Sequence, residues 1–368
     1  MMKTMTSFIL LLTAPLAALA PRQIERIDEA TKKYAVEEKG GGVGVIIVYP
    51  GPNGYEIKEF SHGHVAGPQS PPPRNNSIFL LASVSKVFCT TLLAKFVEEG
   101  RCRLDDLAQQ YVPSWVHVPS FEGKQITLEH LATHTSGLPS EAPGSGKKAY
   151  HYTKQDFYRA LSHIHLHYAP GTKDVYSNMG IGFLGLILGN IAGRPYEEIL
   201  VENILNPLNM PDTRYTYSLT PAQKERMVHF FINGKRVKTN CCKAMPAIGA
   251  GGGLTSTMHD MTQFLLYNMG LLNTELNSLL PILQKHYFRM HPRAFQCLAW
   301  YHNPLYPKGK LMKFSKNGGM PGVSTYIAFV KESKTGVIVL ANAKSHSTKL
   351  GNDILKIMNP HEPAHRKR

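Results

Sequence analysis

Phe79-Leu80-Leu81-Ala82-Ser83-Val84-Ser85-Lys86 is the stretch around which we expect the chain to fold. The residues after it are apolar on most sides, which predicts a buried helix from about Ser83 to Glu99, ended by Gly100. Residues three apart on a helix are neighbours, so Lys86 Nζ can reach Ser83 Oγ. A serine needs a base to become a nucleophile, and a lysine is such a base where burial lowers its pKa. The stretch therefore predicts Ser83 as a nucleophile with Lys86 as its proton acceptor.

The Ser-x-x-Lys spacing alone is weak evidence. A second match, Ser145-Gly146-Lys147-Lys148, lies in a Pro/Gly-rich loop, and we interpret it as solvated surface. For Ser83 the alternative is an ordinary helix N-cap followed by a surface lysine. This motif by itself leaves both interpretations open.

Composition indicates a folded and basic protein. Of 368 residues, 43% are hydrophobic and 18% charged, which favours a packed core over disorder. The net charge is +15, yet the only concentrated basic run is at 365–368, in a tail predicted over 359–368. No aromatic-plus-basic motif of the nucleic-acid kind is present, so the charge favours an anionic neighbour such as a cell envelope over nucleic acid.

The first 20 residues resemble a secretory signal peptide. Lys3 is followed by a short apolar core at 8–12, and Ala18-Leu19-Ala20 fits the small-x-small cleavage pattern, although Pro21 is unfavourable after a cleavage site. The apolar run is short and contains Pro15, and no other segment qualifies, so no transmembrane segment is predicted. We therefore expect a secreted or periplasmic protein.

The periodicity of the remaining chain predicts a mixture of helices and strands. A helix over 22–38 precedes strands at 43–49 and 55–60, which the Pro/Gly-rich turn at 50–54 connects. Helices are predicted at 180–192 and at 256–269, the latter with its N-cap near Ser256. Strands at 310–315, 324–330 and 336–341 precede a closing helix that includes 353–358.

Two further short segments carry chemistry. Tyr176 and Asn178 are two apart, so in an extended segment they face one pocket, although Tyr301 and Asn303 have the same spacing. Lys316-Asn317-Gly318-Gly319 ends a predicted strand, with Lys316 and Gly318 on one side. That lysine can bind a carboxylate, and the glycines allow a substrate backbone to approach closely.

Several other patterns predict ordinary structural roles or have no assigned role. Lys334-Thr335-Gly336 lies between two strands and is predicted to be a hairpin turn. His130 and His134 are one turn apart but lack a third zinc ligand, so packing or hydrogen bonding is favoured. The run His163-x-His165-x-His167 and the pair Cys241-Cys242 have no assigned role. The five cysteines form no legible disulfide framework, and we predict neither a metal nor an organic cofactor.

Ser83-x-x-Lys86, Tyr176-x-Asn178 and Lys316-x-Gly318, in that order, resemble the motifs of the serine β-lactamase and penicillin-binding protein family, above all class C β-lactamases and D-Ala-D-Ala carboxypeptidases. The resemblance implies an α+β fold, an antiparallel sheet flanked by helices with a mostly helical insertion. It also implies one catalytic domain over 21–358, with a sheet lobe at about 21–80 and 250–358 and a helical lobe at about 81–249.

The resemblance also implies roles. Ser83 is the acylated nucleophile and Lys86 its proton acceptor. Tyr176 activates the hydroxyl, or later the water, and Lys316 helps to lower the pKa of Tyr176. Asn178 binds the substrate amide, and Lys316, Asn317 and Gly318 bind the substrate. The backbone N–H groups of Ser83 and Gly319 form the oxyanion hole.

The implied activity is a serine hydrolase that forms an acyl-enzyme with D-Ala-D-Ala-type peptides or β-lactams. Asn317 stands where β-lactamases usually have threonine, whereas the retained Lys316 favours a substrate with a free carboxylate. The alternatives are an esterase of the same fold and a receptor that binds penicillin or peptide without hydrolysing it.

Overall fold

The computed structural model describes residues 18–37, 40–52, 54–144, 152–237, 249–343 and 346–360. Most of the predicted signal peptide, the Ser145 motif, Cys241-Cys242 and the last eight residues lie outside these ranges. Within them, no helix combines the length and the apolar character that a membrane span requires.

The helices follow the predicted periodicity closely. They are α1 (Pro21–Glu37), α2 (Ser85–Glu98), α3 (Leu128–Ala132), α4 (Lys154–Ser162), α5 (Asn178–Ala192), α6 (Tyr196–Leu200), α7 (Pro221–Glu225), α8 (Met258–Asn268), α9 (Leu280–Leu283) and α10 (Ser347–Met358). The N-cap of α8, predicted near Ser256, is Thr257. Thr257 accepts the capping hydrogen bond from the backbone of Asp260, because Ser256 still belongs to a strand.

The strands are β1 (Gly42–Gly51), β2 (Gly54–Gly63), β3 (Phe79–Leu80), β4 (Ser120–Phe121), β5 (Lys124–Gln125), β6 (Arg214–Tyr215), β7 (Phe230–Ile232), β8 (Lys235–Val237), β9 (Leu254–Ser256), β10 (Phe288–His291), β11 (Ala294–Gln296), β12 (Tyr301–Pro304), β13 (Met312–Met320), β14 (Val323–Val330) and β15 (Thr335–Ala341). The hairpin turn predicted at Lys334-Thr335-Gly336 is confirmed for Lys334, which has φ of 52°, but Thr335 and Gly336 already belong to β15.

The main sheet joins the two ends of the chain. Among the described residues it has eight strands in the order β10-β11-β12-β13-β14-β15-β1-β2, with every pair antiparallel. The β1–β2 hairpin from the N-terminal part thus pairs with β15 from the C-terminal part. Strand β13, which carries Lys316, lies near the middle of this sheet.

Strand β1 is buried on both faces, which explains its continuous apolar sequence. Its residues alternate between two cores: Val43, Val45 and Ile47 pack in the cluster that contains α1 and α10, whereas Ile46 and Val48 pack in the cluster that contains α2 and α8. The sheet is therefore covered by helices on both sides, and the predicted α+β class is confirmed.

Helix α2 lies in the core cluster that also contains α8. Strand β3 pairs with β9 just before α2 begins, and Leu81 N donates to Leu254 O at 2.8 Å. Along α2 the side chains from Val87 to Leu93 are fully buried, and the ring of Phe88 stacks on Phe264 of α8 with centroids 3.9 Å apart. This packing holds the N-terminal end of α2 against the middle of the sheet.

Candidate active site

Ser83 lies in a tight turn before α2 rather than in its first turn. Residues Ala82–Val84 form a 3-10 turn, and α2 begins only at Ser85, so the predicted helix start at Ser83 was two residues early. Ala82 adopts a φ of 48°, a conformation that costs about 1 kcal/mol or more for a residue other than glycine. Lys86, in the first turn of α2, is three residues after Ser83, and this spacing still lets its Nζ reach Ser83 Oγ.

Lys86 Nζ contacts three oxygen atoms. It donates to Asn178 Oδ1 at 2.6 Å and to the carbonyl of Gly251, and it lies 3.1 Å from Ser83 Oγ. The two carbonyl oxygens can only accept, so they take both N–H groups of a neutral amine. The lone pair of that amine is then left for the proton of Ser83.

The surroundings of Lys86 favour this neutral form. Its side chain is fully buried, and burial, together with the positive charge of Lys316, lowers its pKa well below the usual value. The charge of Glu141 opposes this shift more weakly. The N-cap alternative for Ser83 is therefore wrong, since Lys86 is not a surface lysine and the hydroxyl of Ser83 makes no capping bond.

Tyr176 approaches Ser83 from the other side. Its hydroxyl donates to Ser83 Oγ at 2.6 Å, and its ring lies 4.8 Å from Lys86 Nζ. Burial raises the pKa of Tyr176 to about 12. The hydrogen bond to Ser83 lowers this pKa, but its effect is smaller. The expectation that Lys316 lowers this pKa was wrong, because Lys316 is not among the causes of the shift, and the phenol remains a donor at neutral pH.

A buried loop positions Tyr176. Val175 N donates to His134 O at 2.8 Å, and Ser177 N donates to His134 Nδ1 at 3.3 Å. The rings of His134 and Tyr176 lie 4.6 Å apart. His134 is thus used for packing and hydrogen bonding, as predicted, and His130 completes the capping box of α3.

Asn178 connects Lys86 to an acidic side chain. Its Oδ1 accepts from Lys86, while its Nδ2 donates to Glu141 Oε1. The backbone N–H of Asn178 donates to Ser140 O at 2.8 Å, which ties the start of α5 to the loop that carries Glu141. The Asn178 amide can therefore hold Lys86 and still face an incoming substrate.

Lys316 lies beside two tyrosine rings. Its Nζ is 5.4 Å from the centre of the Tyr176 ring and 4.8 Å from that of Tyr301. The ammonium group is buried, and no hydrogen-bond partner for it occurs in the described part of the chain. Burial lowers its pKa to about 7, although Asp174 acts in the opposite direction. This unsatisfied donor is suited to an anion supplied by a ligand.

The end of β13 presses against the Ser83 turn. A Cβ added to Gly318 would lie 2.4 Å from Leu81 O and 3.0 Å from Ser83 N, so only glycine fits there. Gly319 and Asn317 are exposed on the opposite side of the strand, and open space surrounds the position of a Gly319 Cβ. Together with α10 they border a cleft of about 530 Å³.

Several residues near the site were not predicted. Tyr301 belongs to the second Tyr-x-Asn spacing, yet it contacts Lys316, whereas Asn303 binds Lys313 instead. No sequence motif pointed to Glu141 or Asp174, because their positions near the site depend on contacts between distant loops. Exposed side chains at His163, His165 and His167 do not join the site.

The remaining metal-ligating and thiol side chains were placed as follows. Within them no group of three or more His, Cys, Asp and Glu side chains is placed to hold a metal ion. Cys89, Cys102 and Cys297 are buried free thiols.

Comparisons with known proteins find a matching family and relatives over most of the chain. A sequence model described as Beta-lactamase matches residues 30–356. The D-alanyl-D-alanine-carboxypeptidase/endopeptidase AmpH of Escherichia coli K12 is 30% identical over 296 residues, which is 76% of this chain and 74% of that protein. A Beta-lactamase of the same strain is 27% identical over 376 residues, covering 93% of this chain and 95% of its own.

Solved structures share the fold. A Beta-lactamase/D-alanine carboxypeptidase from Yersinia pestis, complexed with citrate, superposes with a TM-score of 0.76 at 26% identity, covering 91% of this chain and 98% of the other. A Beta-lactamase/D-alanine carboxypeptidase from Pseudomonas syringae superposes with a TM-score of 0.80 at 20% identity, covering 93% of this chain and 100% of the other.

Proposed function

This chain belongs to the β-lactamase family and is a serine hydrolase, and from that premise we propose that Ser83 is acylated by D-Ala-D-Ala-type peptides or β-lactams. The observation that carries the proposal is the position of the Ser83 hydroxyl. It lies 3.1 Å from the amine of Lys86 and 2.6 Å from the phenol of Tyr176. A base and an acid thus contact the same nucleophile.

Acylation follows from the protonation states of these groups. Neutral Lys86 accepts the proton of Ser83 as Ser83 Oγ bonds to the substrate carbonyl carbon. The carbon–nitrogen bond then breaks, and the Tyr176 hydroxyl donates a proton to the leaving nitrogen while Lys86 returns one to the phenol. The ring of Tyr176 lies close to Lys86 Nζ, which supports a short proton path between them.

The developing oxyanion needs donors from the backbone. We assign this role to the N–H groups of Ser83 and Gly319, because β13 lies against the Ser83 turn at Gly318. Removing one such donor typically costs about 10²–10³ in rate. Asn178 then holds the amide on the acyl side of the substrate, since its side chain is hydrogen-bonded to Lys86 beside the nucleophile.

Lys316 is the residue that favours a substrate with a free carboxylate. Its buried ammonium lacks an acceptor in the described residues, and a substrate carboxylate would supply one. D-Ala-D-Ala peptides and β-lactams both carry a carboxylate near the bond that is cleaved. A simple ester offers nothing to Lys316, so the esterase alternative is less favoured.

Hydrolysis of the acyl-enzyme completes the reaction. Water bonds to the acyl carbon, the Ser83 Oγ–carbon bond breaks, and the proton that water loses returns to Ser83 through Tyr176 or Lys86. A receptor that never deacylates would keep the same first step. The residues here support turnover, because Lys86 and Tyr176 both contact Ser83 and could activate a water there as well.

We further propose that the protein acts outside the cytoplasm. The signal-like first 20 residues and the net charge of +15 support a secreted or periplasmic protein near an anionic envelope. N-terminal sequencing of the protein after expression with its leader tests this, and an uncleaved chain retained in the cytoplasm would contradict it.

Fluorescent penicillin labelling tests the catalytic proposal. We expect wild-type protein to be labelled and Ser83→Ala to remain unlabelled. Release of D-alanine from a D-Ala-D-Ala peptide identifies a peptidase, and rapid loss of the label identifies a β-lactamase. A persistent label without product points to a receptor. Cleavage of a short ester without any label would overturn the proposal.

A further inference from the structure

The C-terminal quarter of the sequence carries most of the net positive charge. Residues 276–368 contain 15 Lys and Arg against 3 Asp and Glu, whereas the whole chain has 41 against 26. The sequence from 276 to 331 contains no acidic residue. The proposed reaction uses Lys316 alone among these cations, so most of this charge has no role in the active site.

The fold gathers much of this charge at one end of the main sheet. Because the strands are antiparallel, the turns after β10, β12 and β14 all lie at the same end, which we call the turn end. These three turns contain one acidic residue, Glu332. In the described part of the chain, the Lys and Arg side chains of these turns form no ion pair. The exposed basic side chains at the turn end are His291, Arg293, Lys308, Lys310, Lys331 and Lys334.

Helices α1 and α10 also meet at the turn end. The hydroxyl of Tyr306, in the turn after β12, donates to Asn359 O at 2.6 Å, just past the end of α10. Gln23 Nε2, near the start of α1, donates to Ile357 O at 2.6 Å. The predicted leader junction after Ala20 therefore lies at this end, and the basic residues 366–368 follow in sequence from the end of α10.

The active site lies toward the opposite end of the sheet. Strand β13 begins at the turn end with Met312 and reaches the Ser83 turn at Gly318, six residues later. At about 3.3 Å per residue, the two positions are about 20 Å apart. A protein that rests on its turn end therefore holds Ser83 away from the surface beneath it.

We propose that the turn end binds the surface of a lipid bilayer that contains anionic phospholipids. Lysines on short turns present their charges on flexible stems, which suits a mobile layer of phosphate groups. A leader junction at the same end favours a membrane, because an exported chain is still attached to the membrane when its leader is removed. This inference rests on the proposed function, since it requires the proposed location outside the cytoplasm beside an anionic envelope.

Nucleic acid is the less favoured partner. Binding of single strands relies on exposed aromatic side chains on which bases stack. In the described residues the strongly exposed aromatic side chains are Trp115 and Tyr217, and neither belongs to the turns of the turn end.

Flotation with lipid vesicles tests the inference. The exported protein is mixed with vesicles made of equal parts phosphatidylglycerol and phosphatidylcholine, or of phosphatidylcholine alone. We expect binding to the anionic vesicles at about 0.1 M salt, and weaker binding as the salt concentration rises. Neutral vesicles should bind little protein, because the attraction comes from charge.

A triple variant removes three charges from the turn end. Each lysine near an anionic surface contributes about fivefold in binding, so the partition coefficient should fall by about 10²-fold. The variant leaves Arg293 in place, because its guanidinium donates to carbonyl oxygens of the turn after β12. The replaced side chains are exposed and carry the changes Lys308→Gln, Lys310→Gln and Lys334→Gln.

A second triple variant is the matched control. It changes the net charge equally, but on β5, α7 and β8, which are not part of the main sheet. Its binding to anionic vesicles should stay within about threefold of wild type, because charges farther than about 10 Å from the lipid are screened. Its exposed side chains carry the changes Lys124→Gln, Lys224→Gln and Lys235→Gln.

Three results would overturn the inference. They are equal binding to neutral and anionic vesicles, equal weakening by the two triple variants, and binding of duplex DNA at the turn end without any binding of vesicles, which would assign that surface to nucleic acid. Fluorescent penicillin labelling of the same samples separates this inference from the catalytic proposal. Labelled protein that ignores anionic vesicles contradicts only the membrane surface, whereas vesicle-bound protein that takes up no label contradicts only the catalytic proposal.

Discussion

The hydroxyl of Tyr176 donates a hydrogen bond of 2.6 Å to Oγ of Ser83, although the two residues are 93 positions apart. Burial raises the pKa of this phenol to about 12, so it holds its proton at neutral pH. The hydroxyl of Ser83 must then give its own proton to a different group. Lys86, with its depressed pKa and two carbonyl partners, is that group.

Tyr176→Phe tests the role of the phenol. The ring and its contact with His134 are retained, but the donor to Ser83 and to the leaving group is lost. We expect the acylation rate to fall by about 10²-fold or more. Stopped-flow acylation by a chromogenic cephalosporin measures this, with thermal unfolding as the control for folding. A wild-type acylation rate in Tyr176→Phe would show that the phenol is dispensable.

Lys86→Arg tests the need for a neutral amine. A guanidinium stays protonated in proteins, so it cannot accept the proton of Ser83. We expect no labelling by fluorescent penicillin, and Lys86→Met should behave in the same way. If Lys86→Arg labels at the wild-type rate, a different base deprotonates Ser83.

The pKa of Lys86 also predicts the acidic limb of the pH profile. Because only the neutral amine is active, kcat/KM should fall as pH drops through the lowered pKa of this group. A lysine at its ordinary pKa would already be inactive at neutral pH. Profiles measured from pH 4 to 11 distinguish the two, and a kcat/KM that levels off only above about pH 10 would contradict a depressed pKa.

Lys316 predicts an alkaline limb that depends on the substrate. Its pKa is lowered to about 7, so it is charged below that pH and increasingly neutral above it. We expect KM for a carboxylate substrate to rise above pH 7, since the neutral amine loses its attraction for the anion. An uncharged ester analogue should lack this rise, and Lys316→Arg should move it to higher pH. If KM rises above pH 7 in the same way for both substrates, Lys316 does not cause the rise.

Gly318→Ala tests the close contact between β13 and the Ser83 turn. The added methyl group would meet Leu81 O and Thr325 Oγ1 at 2.4 Å, so the strand must shift at a cost of about 1–3 kcal/mol. The unfolding temperature and the acylation rate should both be lower than in wild-type protein. Gly319→Ala is the control for stability, because no atom lies within 4 Å of its added Cβ. Equal unfolding temperatures for the two variants would contradict the argument.

The sequence by itself determined the local relationships. Helix and strand periodicity predicted the β1–β2 hairpin, the strands β13–β15 and most of α2, because such patterns depend on neighbouring residues. The spacing of Ser83 and Lys86 predicted their contact for the same reason. The order of the three motifs then indicated the family and, through it, the fold that the comparisons confirm.

Only the tertiary structure decided which residues with equivalent local patterns reach the site. Tyr176 and Tyr301 have the same spacing to an asparagine, yet one contacts Ser83 and the other Lys316. Burial set the direction of the Tyr176 pKa, and a contact between two loops brought Glu141 to Asn178. These outcomes depend on desolvation and on distances between segments far apart in the chain, and periodicity, which reports only neighbours, carries no information about either.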